Sequence, residues 1–373
     1  MKPKKRITLE DVARDANVSR STAALVLREG NLITPDTKQK VIDSALKLGY
    51  VNKSTPFQKR ADKNAEVIGV CFPDIGNIFF TSIFIGVNDF FDQYHNYTLF
   101  FGSHFDSLGK QRRFIKNLMQ YKVAGLILAP AEGTSKEEIE ELQQAGIPLV
   151  FVTRTIEGID ANYVAGDNVQ GAFSATKHLV AMNHKRIALL GGKAGISPFK
   201  ERLSGYRKAL EMSGLPYDES LVMSGTPTSI WGHRAIKEIL KLPAPPTAVI
   251  CYNDIIAEGV INALQEMNID PGKDFSVVKF DFTLGGRVND EEQPSSVEFN
   301  SAYYYYRNLY QYRNVFQPFT NVRSDIYQWG YEAAKLLFRN IVGLCTETER
   351  IIYTQSLLVH DSPSHTSQIS TDN

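Results

Sequence analysis

The spacing of apolar positions divides the chain into an N-terminal part of short helices and a larger part in which strands and helices alternate. Residues 8–50 predict three helices: Thr8 and two first-turn acids open the first, Ser19 caps the second, and a Thr-Pro-Asp sequence opens the third. Only a few residues separate the first two helices. This spacing is typical of a helix-turn-helix.

The second predicted helix has an apolar face and a mixed face. The apolar face, expected to be buried, consists of Ala23, Val26 and Leu27. The opposite face, expected to be exposed, consists of Arg20, Ser21 and Leu25. An exposed leucine on a basic unit suits contact with a thymine methyl group in the DNA major groove. The alternative is that Leu25 is a core residue of a helical bundle.

From residue 66 onward, short apolar runs alternate with amphipathic stretches. The predicted strands are VIGVCF, TLFFGSH, VAGLILAP, PLVFVT, RIALLGG, TAVICY and FSVVKF. The predicted helices are RRFIKNLMQY, KEEIEELQQA, NVQGAFSATKHLVAM, RLSGYRKALEM and DIIAEGVINALQEM. Strand–helix alternation predicts parallel sheets covered by helices, and the pattern restarts near residues 163–187. The predicted fold is therefore α/β, with an all-α head and two doubly wound lobes that share a cleft.

Charge is distributed unevenly between these parts. The 373-residue chain has 41 basic and 41 acidic residues. Residues 1–63 carry 14 Lys or Arg and 7 Asp or Glu, whereas the rest carries 27 and 34. A basic head on an acidic body indicates that the head binds a polyanion. The alternative is a basic tail that is merely solvated.

The sequence argues against a membrane or secreted protein. It contains no run of about 18 apolar residues, and the start MKPKKRITLED has no apolar stretch behind its positive charges. Three scattered cysteines, Cys71, Cys251 and Cys345, do not form the even set that a disulfide framework needs. These features predict a cytoplasmic protein without a membrane partner.

Motifs of catalysis and of cofactor binding are missing. The stretch LLGGKAG fits neither dinucleotide-binding nor P-loop glycine spacing, and neither G-x-S-x-G nor H-E-x-x-H occurs. The seven histidines lack metal-ligand spacing. We therefore expect a protein that is not an enzyme and has no metal and no cofactor.

The head resembles the DNA-binding domain of the LacI/GalR family of bacterial transcriptional regulators. The matching residues are DVA, the A-x-V-S turn, T-x-x-x-x-V-L in the second helix and T-x-x-x-V-x-x-A-x-x-x-L-G-Y in the third. The resemblance implies that the base-reading residues are Arg20, Ser21 and Leu25. It assigns phosphate contacts to Ser19, Thr22, Thr34, Thr37 and Tyr50, and we add Thr8, the cap of the first helix, to this DNA-binding set. Where the family has Val-Ser, this sequence has Ala23-Ala24.

Residues 51–65 read as a polar, basic linker between residues 1–50 and the core. In the family this stretch is a hinge helix that inserts a leucine into the minor groove. Here no leucine is present, Lys59 stands near its place, and Pro56 precedes Phe57. Two alternatives follow: Phe57 acts as the wedge, or no wedge exists and Lys59 adds only phosphate attraction.

The resemblance continues to about residue 360 through FPDIGNIFFTSIFIGV, DNVQGAFSATKHLV, HKRIALLGG, ERLSGYRKAL, CYNDIIAEGV and KFDF. The family core is similar to periplasmic sugar-binding proteins. By this resemblance, the ligand-binding residues are Phe79, Phe80, Asp167, Arg202, Asn253 and Asp281. We add Ser197, because it adjoins Pro198, which stands where the family often has a small hydroxyl residue. Carboxylates, an amide and a guanidinium suit sugar hydroxyls, and aromatic rings suit apolar sugar faces. Taken singly, each polar residue is equally explained as a helix cap or an ion-pair partner.

The expected lobes are about 66–162 with about 294–325, and about 163–293 with 326–360, followed by a polar tail at 361–373. Pro227 stands where many members have an aromatic platform. The long tyrosine-rich segment 282–317 is either functional or an added surface helix. Within the family, the core is most similar to maltose-regulon repressors.

The sequence thus predicts a ligand-responsive transcriptional regulator, a repressor of a carbohydrate operon. Its expected partners are palindromic double-stranded operator DNA, a sugar or sugar phosphate effector, and a second copy of the chain in a homodimer. The alternatives are a solute-binding protein of a transport system, which would need no basic head, and a sugar-processing enzyme, for which no catalytic set is visible.

Overall fold

The computed structural model describes residues 7–27, 33–48, 50, 66–94, 97–121, 123–280, 319–344 and 347–359. The predicted linker at 51–65, the segment 282–317 and the tail at 361–373 lie outside the described residues.

The head consists of the three predicted helices. They are α1 (Leu9–Asp15), α2 (Arg20–Val26) and α3 (Pro35–Leu48). Their buried apolar residues are Val12, Ala13, Ala23, Val26, Val41 and Ala45. The Ser44 hydroxyl donates a hydrogen bond of 3.0 Å to the Val12 carbonyl and so links α3 to α1. A small shared core therefore fixes α2 against the other two helices.

The first lobe is built on a six-stranded parallel sheet with the strand order β11-β5-β4-β3-β1-β2. The strands are β1 (Glu66–Phe72), β2 (Tyr97–Ser103), β3 (Gly125–Leu128), β4 (Leu149–Val152), β5 (Asn162–Gly166) and β11 (Arg350–Tyr353). The helices are α4 (Ile78–Asp92), α5 (Leu108–Gln120), α6 (Lys136–Gln144) and α11 (Ile326–Ile341). Strands β3 and β4 are buried along their whole length, as expected for parallel strands covered on both faces.

The second lobe has a six-stranded sheet with the order β12-β10-β9-β8-β6-β7, in which only the β10–β12 pair is antiparallel. The strands are β6 (Ile187–Gly191), β7 (Val222–Ser224), β8 (Ala248–Cys251), β9 (Ser276–Phe280), β10 (Thr320–Arg323) and β12 (Ser356–Leu358). The helices are α7 (Asn168–Ala181), α8 (Ser197–Glu211), α9 (Ser229–Ile239) and α10 (Asp254–Glu266). The predicted α/β architecture with two doubly wound lobes is confirmed.

The assignment of C-terminal segments to the lobes differs from the expected one. Strand β10 pairs with β9 and belongs to lobe two, whereas α11 packs on β3, β4 and β5 of lobe one. The first boundary also moves, because β5, expected partly in lobe two, pairs with β4. The amphipathic pattern predicts whether a segment forms a helix or a strand. It does not predict which of two similar sheets that segment joins or packs on.

Within the described residues the chain passes between the lobes three times, after β5, after β10 and after β11. The side chain of Gln355, in the third crossing, lies against the first crossing. A Cβ atom at Gly171, in the first turn of α7, would be 2.2 Å from Gln355 Oε1, so the Gln355 side chain would have to move if this glycine were replaced. Three crossings of this kind form a hinge about which two lobes can close on a ligand.

Candidate functional site

Helix α2 exposes the side chains that the sequence predicts to read bases. Arg20 and Ser21 are exposed, and Leu25 is 41% exposed. The alternative that Leu25 belongs to the core is therefore wrong for this structure. An arginine, a hydroxyl and an apolar side chain on one exposed helix face can contact guanine, phosphate and a thymine methyl group, respectively.

The predicted phosphate-binding hydroxyls lie at helix starts. Thr8 and Asp11 form a capping box, with 2.8 Å from the Thr8 amide to Asp11 Oδ2. Ser19 Oγ accepts the Thr22 amide at 3.0 Å and lies 2.8 Å from Thr22 Oγ1. These side chains therefore cap α1 and α2 while remaining at the helix N-termini, where phosphate groups bind favourably.

The other head residues of the predicted set lie at the two ends of α3. Thr34 Oγ1 donates a hydrogen bond of 2.9 Å to Thr37 Oγ1 at its start. The Tyr50 amide donates to the Ala45 carbonyl at 2.8 Å after its end. The two proposed hinge residues, Phe57 and Lys59, lie outside the described residues.

A cavity of about 650 Å³ lies between the two lobes and is lined by residues that follow strands of both sheets. Loops after the carboxyl ends of parallel strands meet at this edge, which is where doubly wound sheets bind ligands. Its volume lies within the range of about 300–1,000 Å³ that is usual for small-molecule sites.

Four of the seven predicted ligand-binding residues line this cavity, namely Phe79, Phe80, Arg202 and Asn253. Asp167 does not line it; its carboxylate accepts the Gln170 amide at 2.9 Å and caps α7. Ser197 does not line it either; its hydroxyl accepts the Thr155 amide of lobe one at 2.9 Å. Asp281 lies outside the described residues.

Two hydrogen bonds and two aromatic rings hold Arg202 in the wall of the cavity. Its Nε donates to Asn168 Oδ1 at 2.9 Å and its Nη1 donates to the Tyr252 carbonyl. The guanidinium carbon lies 4.4 Å and 3.8 Å from the ring centroids of Tyr252 and Phe280. Burial lowers the pKa of Arg202 to about 10, so the side chain remains charged near neutral pH. A buried cation is thus aimed by neutral acceptors and aromatic rings.

Two buried ion pairs in the cavity wall were not found from the sequence. Arg154 forms two hydrogen bonds with the Asp106 carboxylate, of 2.5 Å and 3.3 Å, in lobe one. Lys279 Nζ lies 2.8 Å from Asp254 Oδ1 in lobe two. The only signal for either pair is Lys279, a charged residue inside the apolar run FSVVKF.

Several buried polar atoms on cavity-lining residues have no hydrogen-bond partner within the described part of the chain. They are Thr153 Oγ1, Ser324 Oγ, Trp329 Nε1 and Gln355 Oε1. Buried polar groups are nearly always hydrogen-bonded in folded proteins. These atoms expose almost no surface to the cavity, so they mark unsatisfied positions within its wall and do not by themselves contact a ligand.

The lobes contact each other next to the cavity. Glu132 of lobe one accepts the Gly195 amide of lobe two at 2.9 Å, and Lys193 Nζ lies 3.7 Å from its other oxygen. With the Ser197–Thr155 hydrogen bond, these contacts close the cleft on the side of α8.

Over the described ranges, no cluster of His, Cys, Asp and Glu could hold a metal ion. Nor does any helix there have the length and apolar character that crossing a membrane requires.

Comparisons with known proteins agree with this geometry. Residues 8–52 match the family of bacterial regulatory proteins of the lacI type. Residues 65–278 match the family of periplasmic binding proteins and the sugar-binding domain of the LacI family. The helix-turn-helix head argues against the solute-binding alternative, because that alternative needs no such head.

Relatives of this chain include transcriptional regulators. The chain is 33% identical to the HTH-type transcriptional regulator GalS of Salmonella typhimurium over 77% of this chain and 83% of GalS. It is 30% identical to Catabolite control protein A of Priestia megaterium over 74% and 83% of the two chains. The structure of the transcriptional regulator CelR–cellobiose complex superposes with a TM-score of 0.64 at 26% identity, covering 96% of this chain and 100% of CelR. The chain belongs to the LacI family of DNA-binding transcriptional regulators.

Proposed function

We propose that this regulator is a repressor of a carbohydrate-utilisation operon and that a sugar bound between its lobes controls its affinity for operator DNA. The observation that carries the sugar assignment is the cavity itself, whose wall combines the polar side chains of Arg202 and Asn253 with the aromatic rings of Phe79 and Phe80. Sugar hydroxyls both donate and accept hydrogen bonds and so suit the polar side chains, and the C–H face of a sugar ring suits the aromatic rings.

The charges of the cavity favour an uncharged sugar over a sugar phosphate. Its lining residues include four basic side chains (Lys or Arg) and four acidic side chains (Asp or Glu). Arg154 and Lys279 are each paired with a carboxylate, and Arg202 already donates to two neutral acceptors. A phosphate group needs several uncompensated cations, whereas among the lining residues only Arg202 is held by neutral acceptors without a carboxylate partner, and the acidic residues equal the basic ones in number.

Operator binding is assigned to the head, and the active form is proposed to be a homodimer in the cytoplasm. A twofold dimer places two copies of α2 in successive major grooves of a palindromic site. The excess of basic over acidic residues in segment 1–63 attracts the phosphate groups of the DNA.

A thermal shift experiment on the purified full chain tests the sugar assignment. We expect maltose, cellobiose or another uncharged saccharide in a panel to raise the melting temperature, because a ligand at about a hundred times its Kd adds about 2.7 kcal/mol of stability. Glucose 6-phosphate serves as the charged comparison. A shift with the phosphate alone would contradict the uncharged class, and a flat response across the panel would contradict a sugar effector.

A further inference from the structure

The turn after β2 has an unusual backbone. Phe105 and Asp106 have φ values of +48° and +53°, two consecutive left-handed residues that are not glycine. This conformation is unfavourable for residues with a Cβ atom, and particularly for bulky ones. Strain of this kind persists only where surrounding contacts enforce it, and it is concentrated at functional sites.

Buried contacts enforce the turn. The Phe105 amide donates to the Pro73 carbonyl at 2.6 Å, and the Asp106 amide donates to His104 Nδ1 at 3.1 Å. The carboxylate of Asp106 pairs with Arg154, whose side chain is 5% exposed. Arg154 is itself preceded by a residue with positive φ, Thr153 at +64°. Asp106 itself therefore has a strained backbone, and its partner Arg154 directly follows a strained residue.

The strained turn presents an aromatic ring at the cavity. Phe105 lines the cavity and yet is 59% exposed, whereas Arg202, which lines the same cavity, is 8% exposed. The Nζ atom of Lys110 lies 4.6 Å from the centroid of the Phe105 ring. The Phe105 ring therefore contributes little to the core. The strained turn holds this ring at the rim of the cavity.

We propose that Phe105 is a specificity-determining platform on which a sugar ring of the effector stacks at the rim of the cavity, while Arg202 binds the ligand deeper inside. This inference rests on the proposed sugar effector. A pyranose has an apolar face of C–H groups, which packs on the face of an aromatic ring. The cavity of about 650 Å³ is lined both by the exposed Phe105 and by the buried Arg202, and the effector class in this proposal is an uncharged disaccharide or longer oligosaccharide that occupies both ends.

Calorimetric titration of the full chain with maltose, cellobiose and glucose tests the platform. Phe105→Ala should weaken binding of the active disaccharide about 3- to 10-fold, the usual range for loss of an aromatic contact, and Phe105→Trp should retain it. Phe100→Ala is the matched control, because Phe100 is a partly exposed aromatic residue of the adjacent strand β2 that does not line the cavity.

Phe105→Gly separates the platform from a folding defect. Glycine relieves the left-handed strain, so this variant should melt no lower than the parent without ligand and still bind the disaccharide more weakly. If the parent binds a disaccharide and both Phe105→Ala and Phe105→Gly titrate like it, the platform is refuted while the proposed function stands. If the parent binds none of the saccharides, the sugar effector itself fails, and the platform fails with it.

Discussion

Arg202→Ala should raise the effector concentration needed for a response by roughly 10- to 150-fold while leaving operator binding intact. The guanidinium is buried, charged and oriented by Asn168 Oδ1, the Tyr252 carbonyl and two aromatic rings. Hydrogen bonds from a charged group contribute about 1.5–3 kcal/mol each, so the loss of one ligand contact corresponds to roughly 10- to 150-fold in affinity. The head lies in a separate domain and should bind DNA as before.

The matched control is Arg207→Ala. Arg207 lies on the same helix α8 and also packs on a tyrosine, with its guanidinium carbon 4.2 Å from the Tyr217 ring centroid, but it is exposed and does not line the cavity. Calorimetric titration with the active saccharide and operator-binding isotherms should be recorded for both variants. Equal saccharide affinity in Arg202→Ala and Arg207→Ala would remove Arg202 from the binding site.

Asp106→Asn should cause a large loss of stability. It leaves the Arg154 guanidinium buried without its carboxylate partner. Removing one member of a buried pair typically lowers the free energy of unfolding by about 3–5 kcal/mol. Equilibrium urea denaturation at pH 7 measures this difference, and the double variant Asp106→Asn with Arg154→Met should recover part of it, because no buried charge is then left unpaired.

The effect of Asp106→Asn should also depend on pH in a defined direction. Burial alone would raise the pKa of Asp106, but the hydrogen bonds and charge of Arg154 outweigh it and lower the pKa below its ordinary value. A carboxyl with a lowered folded pKa stabilises fully above its unfolded pKa of about 3.9 and ceases to do so as the pH falls through the folded pKa. The stability difference between parent and variant should therefore be constant near neutral pH and shrink below about pH 4. A difference that grows with acidification would contradict the role of this ion pair.

The sequence predicts the central elements of the fold well and the peripheral ones poorly. Fully apolar runs such as β3 and β4 are recognisable because both faces of a parallel strand are buried. The short outer strands β7, β11 and β12 are partly exposed and carry no such run. Helix α4 is apolar around most of its circumference, so no amphipathic period marks it as a helix.

The residues of the candidate site also divide into those that the sequence predicts and those that it does not. Arg202, Asn253 and the pair Phe79–Phe80 could be identified because their neighbours match family motifs. The Asp106–Arg154 pair joins residues 48 positions apart, and nothing local marks either member. Positive φ at Phe105 is a property of tertiary contacts rather than of the local sequence, since phenylalanine is a poor residue for that conformation.

The most direct measurement of ligand-controlled repression is operator binding by the full chain with and without the saccharide that raises its melting temperature. A fluorescent duplex selected from random DNA by the protein itself supplies the operator. We expect a palindromic site, an affinity that falls steeply with salt, and a change of roughly 5- to 150-fold in affinity when the saccharide is added, the usual range of coupling between two sites. Saccharide that binds the protein but leaves the operator isotherm unchanged would contradict control of DNA binding from the cleft.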